Sequence, residues 1–103
     1  MVIEWLKFRM APENREQYIQ LDTDIWTAAL QGYPGFVSKE VWIDPADAET
    51  VICVIRWSSR EQWKSIAEAE LAKVTQAFDQ ALGFTYELVE SKEFQARQFP
   101  VIG

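Results

Sequence analysis

Apolar positions recur with two different spacings along this chain, and the changes between them outline six elements. Val2 to Arg9 is apolar on both alternating faces apart from Glu4 and Lys7, the pattern of a central strand covered on two sides. Pro12 and Glu13 open a helix, as a proline at the first helical position and an early acid should. Tyr18, Leu21, Ile25, Ala29 and Leu30 then recur along one face, which predicts a helix running to about Gln31. Gly32, Pro34 and Gly35 break it. Phe36 to Ile43 follows with Ser38, Lys39 and Glu40 in its middle, and those polar residues mark an edge strand.

Asp44 to Asp47 form a turn cluster, after which Thr50 to Trp57 is the most β-branched stretch and a second central strand. Ser58 or Ser59 caps the next helix, with Glu61 or Gln62 completing a capping box. Its stripe is Trp63, Ile66, Ala67, Leu71, Val74, Phe78 and Leu82, and Gly83 ends it. Phe84 to Glu90 alternates as a final, more polar strand. The tail from Ser91 to Gly103 fits no element, although Phe94, Phe99, Val101 and Ile102 are too apolar to dangle freely.

The order β-α-β-β-α-β puts the first and third strands in the middle of an antiparallel sheet, with both helices on one face. This predicts a single α+β domain over residues 1–103, a ferredoxin-like fold with a four-stranded sheet. Two helical stripes cover one side of such a sheet, yet both central strands are apolar on two sides. A second copy of the chain, sheet facing sheet, is the expected cover, burying more than ~1,000 Å². Phe94 and Phe99 would latch onto the partner.

Sixteen acidic against ten basic residues give a net charge of -6, which repels phosphate backbones and anionic membrane surfaces. Nucleic acid and membrane are therefore not expected as partners. MVIEWLKFRM lacks the basic and long apolar parts of a signal peptide, and no apolar run approaches the ~20 residues of a membrane span, so a cytoplasmic location is expected. Cys53, the single cysteine, lies in an apolar run and reads as a buried reduced thiol.

The chain contains no histidine, which removes the commonest metal ligand and general base. Zinc sites of Cys and His, a Ser-His-Asp triad and a Cys-His pair are all impossible within one chain. Four glycines make no phosphate-binding loop or dinucleotide fingerprint. No cofactor is expected, and no zinc, iron or haem. Trp5, Trp26, Trp42, Trp57 and Trp63 either fill the core and subunit interface or wall a pocket for a planar molecule. Glu4, Lys7, Glu40 and Arg56 sit among apolar strand neighbours, where a charge is paired, solvated or functional; Glu4 with Arg56 is the expected pair. Glu13, Glu16, Asp22, Asp24, Glu68 and Glu70 read as solvated helix faces.

Tyr33-Pro34-Gly35-Phe36, Asp44-Pro45 and the segment Arg56-Trp57-Ser58-Ser59-Arg60-Glu61-Gln62-Trp63 resemble the dimeric α/β-barrel superfamily that includes antibiotic biosynthesis monooxygenase-like proteins. The opening MVIEWLKF, Asp24-Ile25-Trp26-Thr27 and Val54-Ile55-Arg56-Trp57 are similar to a largely cyanobacterial, functionally uncharacterised branch of it. The resemblance implies the fold and the pairing more firmly than a reaction. Haem-degrading relatives hold iron with a helix histidine that is absent here. Cofactor-independent oxygenases of the superfamily use tryptophan, asparagine, tyrosine or arginine to bind a phenolic substrate that itself reduces oxygen. Trp57, Trp63, Arg56 and Tyr18 or Tyr33 are the residues that stand in for them, while the sole asparagine, Asn14, opens a helix.

Two readings result. The first is a small-molecule-binding protein, a cofactor-independent monooxygenase or isomerase acting on a planar apolar or phenolic compound. Its ligand pocket is formed by Tyr18, Trp26, Trp57 and Trp63, with Arg56 and Glu40 as catalytic candidates and Arg56 stabilising a substrate anion. The alternative is a non-catalytic dimeric ligand-binding or protein-interaction module. A cavity of ~300 Å³ or more beside Arg56 separates the two.

Overall fold

The computed structural model describes residues 1–98 and 100–103 of the chain. Its elements run β1 (Val2–Arg9), a 3-10 turn (Pro12–Asn14), α1 (Arg15–Leu21), a π segment (Asp22–Thr27), α2 (Ala28–Leu30), β2 (Phe36–Trp42), β3 (Thr50–Trp57), α3 (Arg60–Lys64), α4 (Glu68–Leu82) and β4 (Glu87–Gln95). The strands form one antiparallel sheet in the order β2-β3-β1-β4. The two apolar runs are therefore central and the two charged strands are edges, the ferredoxin-like arrangement that the hydrophobic pattern predicts.

Strand alternation assigns the faces. Val2, Glu4, Leu6 and Phe8 of β1 lie opposite Trp57, Ile55, Cys53 and Val51 of β3. These residues face the helices, where Met10, Tyr18, Val51, Cys53, Phe78 and Leu82 form one buried cluster and Leu30, Ile55 and Trp57 a second. Ile3, Trp5 and Lys7, opposite Arg56, Val54 and Ile52, point to the other face, which no described helix covers.

Both helices are interrupted. The first helical stretch passes through the π segment before ending at α2. The second breaks at Ala67, whose extended backbone (φ -64, ψ 135) separates α3 from α4. Ser59 caps α3 by accepting from the Gln62 N–H, and Gly83 closes α4 in the left-handed conformation (φ 73) that glycine adopts without a Cβ penalty. Gly35 (φ 88) serves β2 similarly: a Cβ there would meet the Gln62 side chain at 2.5 Å, and its carbonyl accepts from the Ser58 N–H at 2.7 Å.

The final strand is displaced from its expected position. Phe84 and Tyr86 lie before it and pack on the first core cluster, while β4 runs on to Gln95 and pairs with β1 along its length. Backbone pairing to a central strand outweighs the weak alternation of ELVESKEFQ. Phe94 is on this strand and 47% exposed; Phe99, the other residue assigned to a partner latch, lies outside the described residues.

Candidate functional site

A cavity of about 320 Å³ opens between the sheet and the helices. Trp57 from the end of β3, Trp63 and Ile66 from α3 and its exit, and Leu30 from α2 wall one end. Phe8, Tyr18 and Tyr86 wall the other. There Tyr18 meets Phe78 edge-on at 5.2 Å between ring centroids and Tyr86 at 5.4 Å, contacts that fix the ring planes. The Tyr86 hydroxyl donates to Asp79 at 2.6 Å. Trp26 lines the cavity from the π segment. All four pocket residues expected from the sequence, Tyr18, Trp26, Trp57 and Trp63, therefore face one space.

Arg56 and Glu40 do not. Arg56 alternates away from Trp57, so it stands on the uncovered face with Glu40, which accepts from Arg56 and, at 2.8 Å, from Trp42. Their side chains are 29% and 49% exposed. The Trp42 and Arg56 hydrogen bonds hold the Glu40 carboxyl below its ordinary pKa. The expected placement of Arg56 beside the cavity is thus corrected, and so is its expected partner: Glu4 lies one face away from Arg56.

The charges that do line the cavity are Glu4, Asp22 and Lys39. Glu4 accepts from the indole N–H of Trp57 at 3.1 Å. Burial raises its carboxyl pKa, with the Trp57 bond acting in the opposite sense. Lys39 donates to Asp22 at 2.6 Å, and both side chains are almost completely buried. Burial raises the Asp22 pKa, opposed by the Lys39 charge. The solvated face assigned to Asp22 is therefore wrong, whereas Glu13, Glu16, Asp24, Glu68 and Glu70 are exposed as expected. Burial also pushes the Cys53 thiol up to about 12, with the Asp22 charge adding to it, so this cysteine is no nucleophile. The Tyr18 phenol is raised well above its ordinary value, chiefly by burial.

Asp22 and Lys39 escaped the sequence reading because each sits at an irregularity. Tyr18, Asp22, Trp26 and Leu30 form a stripe spaced by four, which was the available signal. The site as a whole is an apolar, aromatic slot with two carboxyls of raised pKa and one ammonium. Among the described residues no three His, Cys, Asp or Glu side chains gather to hold a metal ion.

Solved structures share this architecture at identities that establish fold alone. HapK from Hahella chejuensis superposes with a TM-score of 0.76 at 18% identity, covering 100% of both chains. A monooxygenase from the ActVA-Orf6 gene of Streptomyces coelicolor, in complex with nanaomycin D, gives 0.75 at 16% identity over 99% of this chain and 92% of its own. SnoaB, a cofactor-independent oxygenase from Streptomyces nogalater, gives 0.68 at 18% over 95% and 94%. No curated protein sequence matches the chain. Residues 1–82 match the antibiotic biosynthesis monooxygenase family, and the chain belongs to that family.

Proposed function

We propose that the protein binds a planar phenolic compound in the cavity and oxygenates it without a cofactor. The observation that carries this is the cavity itself: about 320 Å³, walled by Tyr18, Trp26, Trp57 and Trp63, with the Glu4 carboxyl and the Lys39–Asp22 pair set into a mainly apolar wall. A flat ring system buries its faces against indole and phenol rings, and the half-buried Glu4 carboxylate, whose proton affinity burial increases, is placed to take a proton from it. Two solved structures of this fold are described as a cofactor-independent oxygenase and as a monooxygenase holding a ligand, which supports the same reading.

The chemistry balances without a redox group. A phenol-activated methylene loses a proton to Glu4, the resulting carbanion gives its electrons to O2 to form a C–O bond, and the peroxide anion takes the proton back from Glu4 as a hydroperoxide. Loss of the remaining C–H proton breaks the O–O bond, leaving a carbonyl and water. One O2 is consumed per product, and all four electrons come from the substrate. An oxygen electrode with 1,8-dihydroxyanthrone, a planar phenol carrying such a methylene, tests this. Uptake above the protein-free rate that is lost in Glu4→Gln supports the proposal. Binding without any uptake would leave the non-catalytic ligand-binding module.

The dimer belongs to the same proposal. On the uncovered face Ile3, Trp5, Ile52 and Val54 run across the two central strands, flanked by Trp42 and Phe94, 44% and 47% exposed. A second copy laid on this face would bury Arg56 and Glu40 at an interface, away from the cavity. Sedimentation near twice 12.0 kDa is the expected outcome, and a stable monomer would contradict it. No described helix is long and apolar enough to cross a membrane. A cytoplasmic setting is proposed on the buried reduced thiol of Cys53, and the cyanobacterial branch on the sequence motifs alone.

A further inference from the structure

Two local irregularities aim one ion pair at the cavity. In β2 the register shifts at Val37: Phe36 opposes Trp57, Ser38 opposes Arg56, and Lys39 falls opposite Ile55 on the helix-covered face. With Phe36 facing inward, a strand without the extra residue would turn Lys39 outward, and bulges serve to re-aim a side chain in this way. The facing helix carries Tyr18, Asp22, Trp26 and Leu30 every four residues. In a regular α-helix that stripe drifts by about 40° at each step. The wider π segment, which starts at Asp22, reduces the drift, and all four residues face the cavity.

The product is an ammonium 2.6 Å from a carboxylate, with side chains 3% and 4% exposed. As a stability device such a pair is poor, because desolvation offsets the attraction and apolar residues of similar volume do as well. An edge-strand lysine also has solvent within easy reach. The cavity accounts for its inward turn: among the described residues that line it, Lys39 is the one cation.

We propose that Lys39 is the anion-holding group of the cavity, binding the phenolate or enolate oxygen left when the ligand gives up its proton, with Asp22 as the positioning residue that holds the ammonium until then. This rests on the phenol-binding reading above and adds the group that receives the charge. The ligand O–H or C–H bond breaks, its proton passes to Glu4, and the oxyanion takes a hydrogen bond from Lys39 in exchange for the one to Asp22. No electrons move in this step. The titratable groups that face the ligand from the surrounding elements are Asp22 and Tyr18 on the helical stretch, Glu4 on β1, Cys53 on β3 and Tyr86 ahead of β4.

The test uses 7-hydroxycoumarin, a planar phenol whose neutral and ionised forms absorb at different wavelengths, titrated with pH on the full chain. Bound to the native protein, the dye should ionise at lower pH than it does free. Lys39→Met should reduce the ionisation constant of the bound dye by about tenfold or more. Asp22→Asn should move it the other way, since the ammonium then has no competing carboxylate; a pair that serves structure alone and does not face the ligand would move neither. Lys39→Arg should restore part of the native value. If Lys39→Met fails to fold with Asp22 left unpaired, Asp22→Asn combined with Lys39→Met carries the same comparison with both partners neutral. A dye that binds but ionises identically in all variants overturns this inference and leaves the cavity reading standing. A dye that does not bind the native protein overturns both.

Discussion

The two faces of the sheet carry similar charges in opposite settings. On the helix-covered face, Lys39 meets Asp22 with both side chains almost wholly removed from water, and a half-buried Glu4 meets the fully buried Trp57. On the uncovered face, Arg56 meets Glu40 and Glu40 meets Trp42, all partly solvated in the single chain. β2 and β3 contribute to both sets: Lys39 and Glu40 are neighbours in β2, and Arg56 and Trp57 in β3. What differs is desolvation, which raises the carboxyl pKa of Glu4 and Asp22 and leaves Glu40 governed by its hydrogen bonds. A charge on an apolar strand is therefore a weak sign of function until its face is known.

The sharpest way to break the comparison is to remove one cation from each face. Lys39→Met strands a buried carboxylate and should cost about 3–5 kcal/mol in urea unfolding. Adding Asp22→Asn should recover much of that loss. Arg56→Met, compared at a concentration low enough to keep the chain monomeric, breaks a pair open to solvent and should cost no more than about 1 kcal/mol. Equal losses at the two sites would remove the distinction between the faces.

A subtler contrast lies in pH. Glu4 and Asp22 are raised, so the folded chain keeps protons that the unfolded chain has released. Their contribution is full below the ordinary carboxylate range and is lost as pH rises through their raised values. Glu40 is lowered, so its contribution is present above that range and lost as pH falls through its own value. As pH rises above the ordinary carboxylate range, Glu4→Gln should therefore hold its melting temperature better than the native chain. Glu40→Gln should lose less on acidification. Slopes of the same sign in both variants would contradict the assignment of faces.

Much of this was legible in the sequence, for reasons that differ by region. TVICVIRW and VIEWLKFR announce central strands because burial on two sides leaves little room for polar residues. The four pocket aromatics could be named because tryptophan and tyrosine on inward stripes have few other places to go. Asp22 was hidden because a solvated acid and a buried acid look alike on a helix, and only the π segment, which has no composition of its own, keeps its stripe on the cavity. Lys39 was hidden by the bulge at Val37, since one extra residue reverses every facing beyond it. Arg56 needed no such information: it precedes Trp57 in a regular strand, and alternation alone puts the two on opposite faces, so both could not line one pocket. The last strand slipped because charged edge residues pair by backbone and carry little pattern.

On the proposed function, the aromatic space between sheet and helices is a binding site for a planar phenol. Calorimetric titration of the native chain with 7-hydroxycoumarin tests it most directly, set beside Thr75→Phe, which places a ring into the cavity from α4. Saturation at one ligand per chain is expected in the native protein, with its loss in a Thr75→Phe variant that still unfolds cooperatively. Absence of saturable heat in the native protein, or undiminished binding once the cavity is filled, would contradict it.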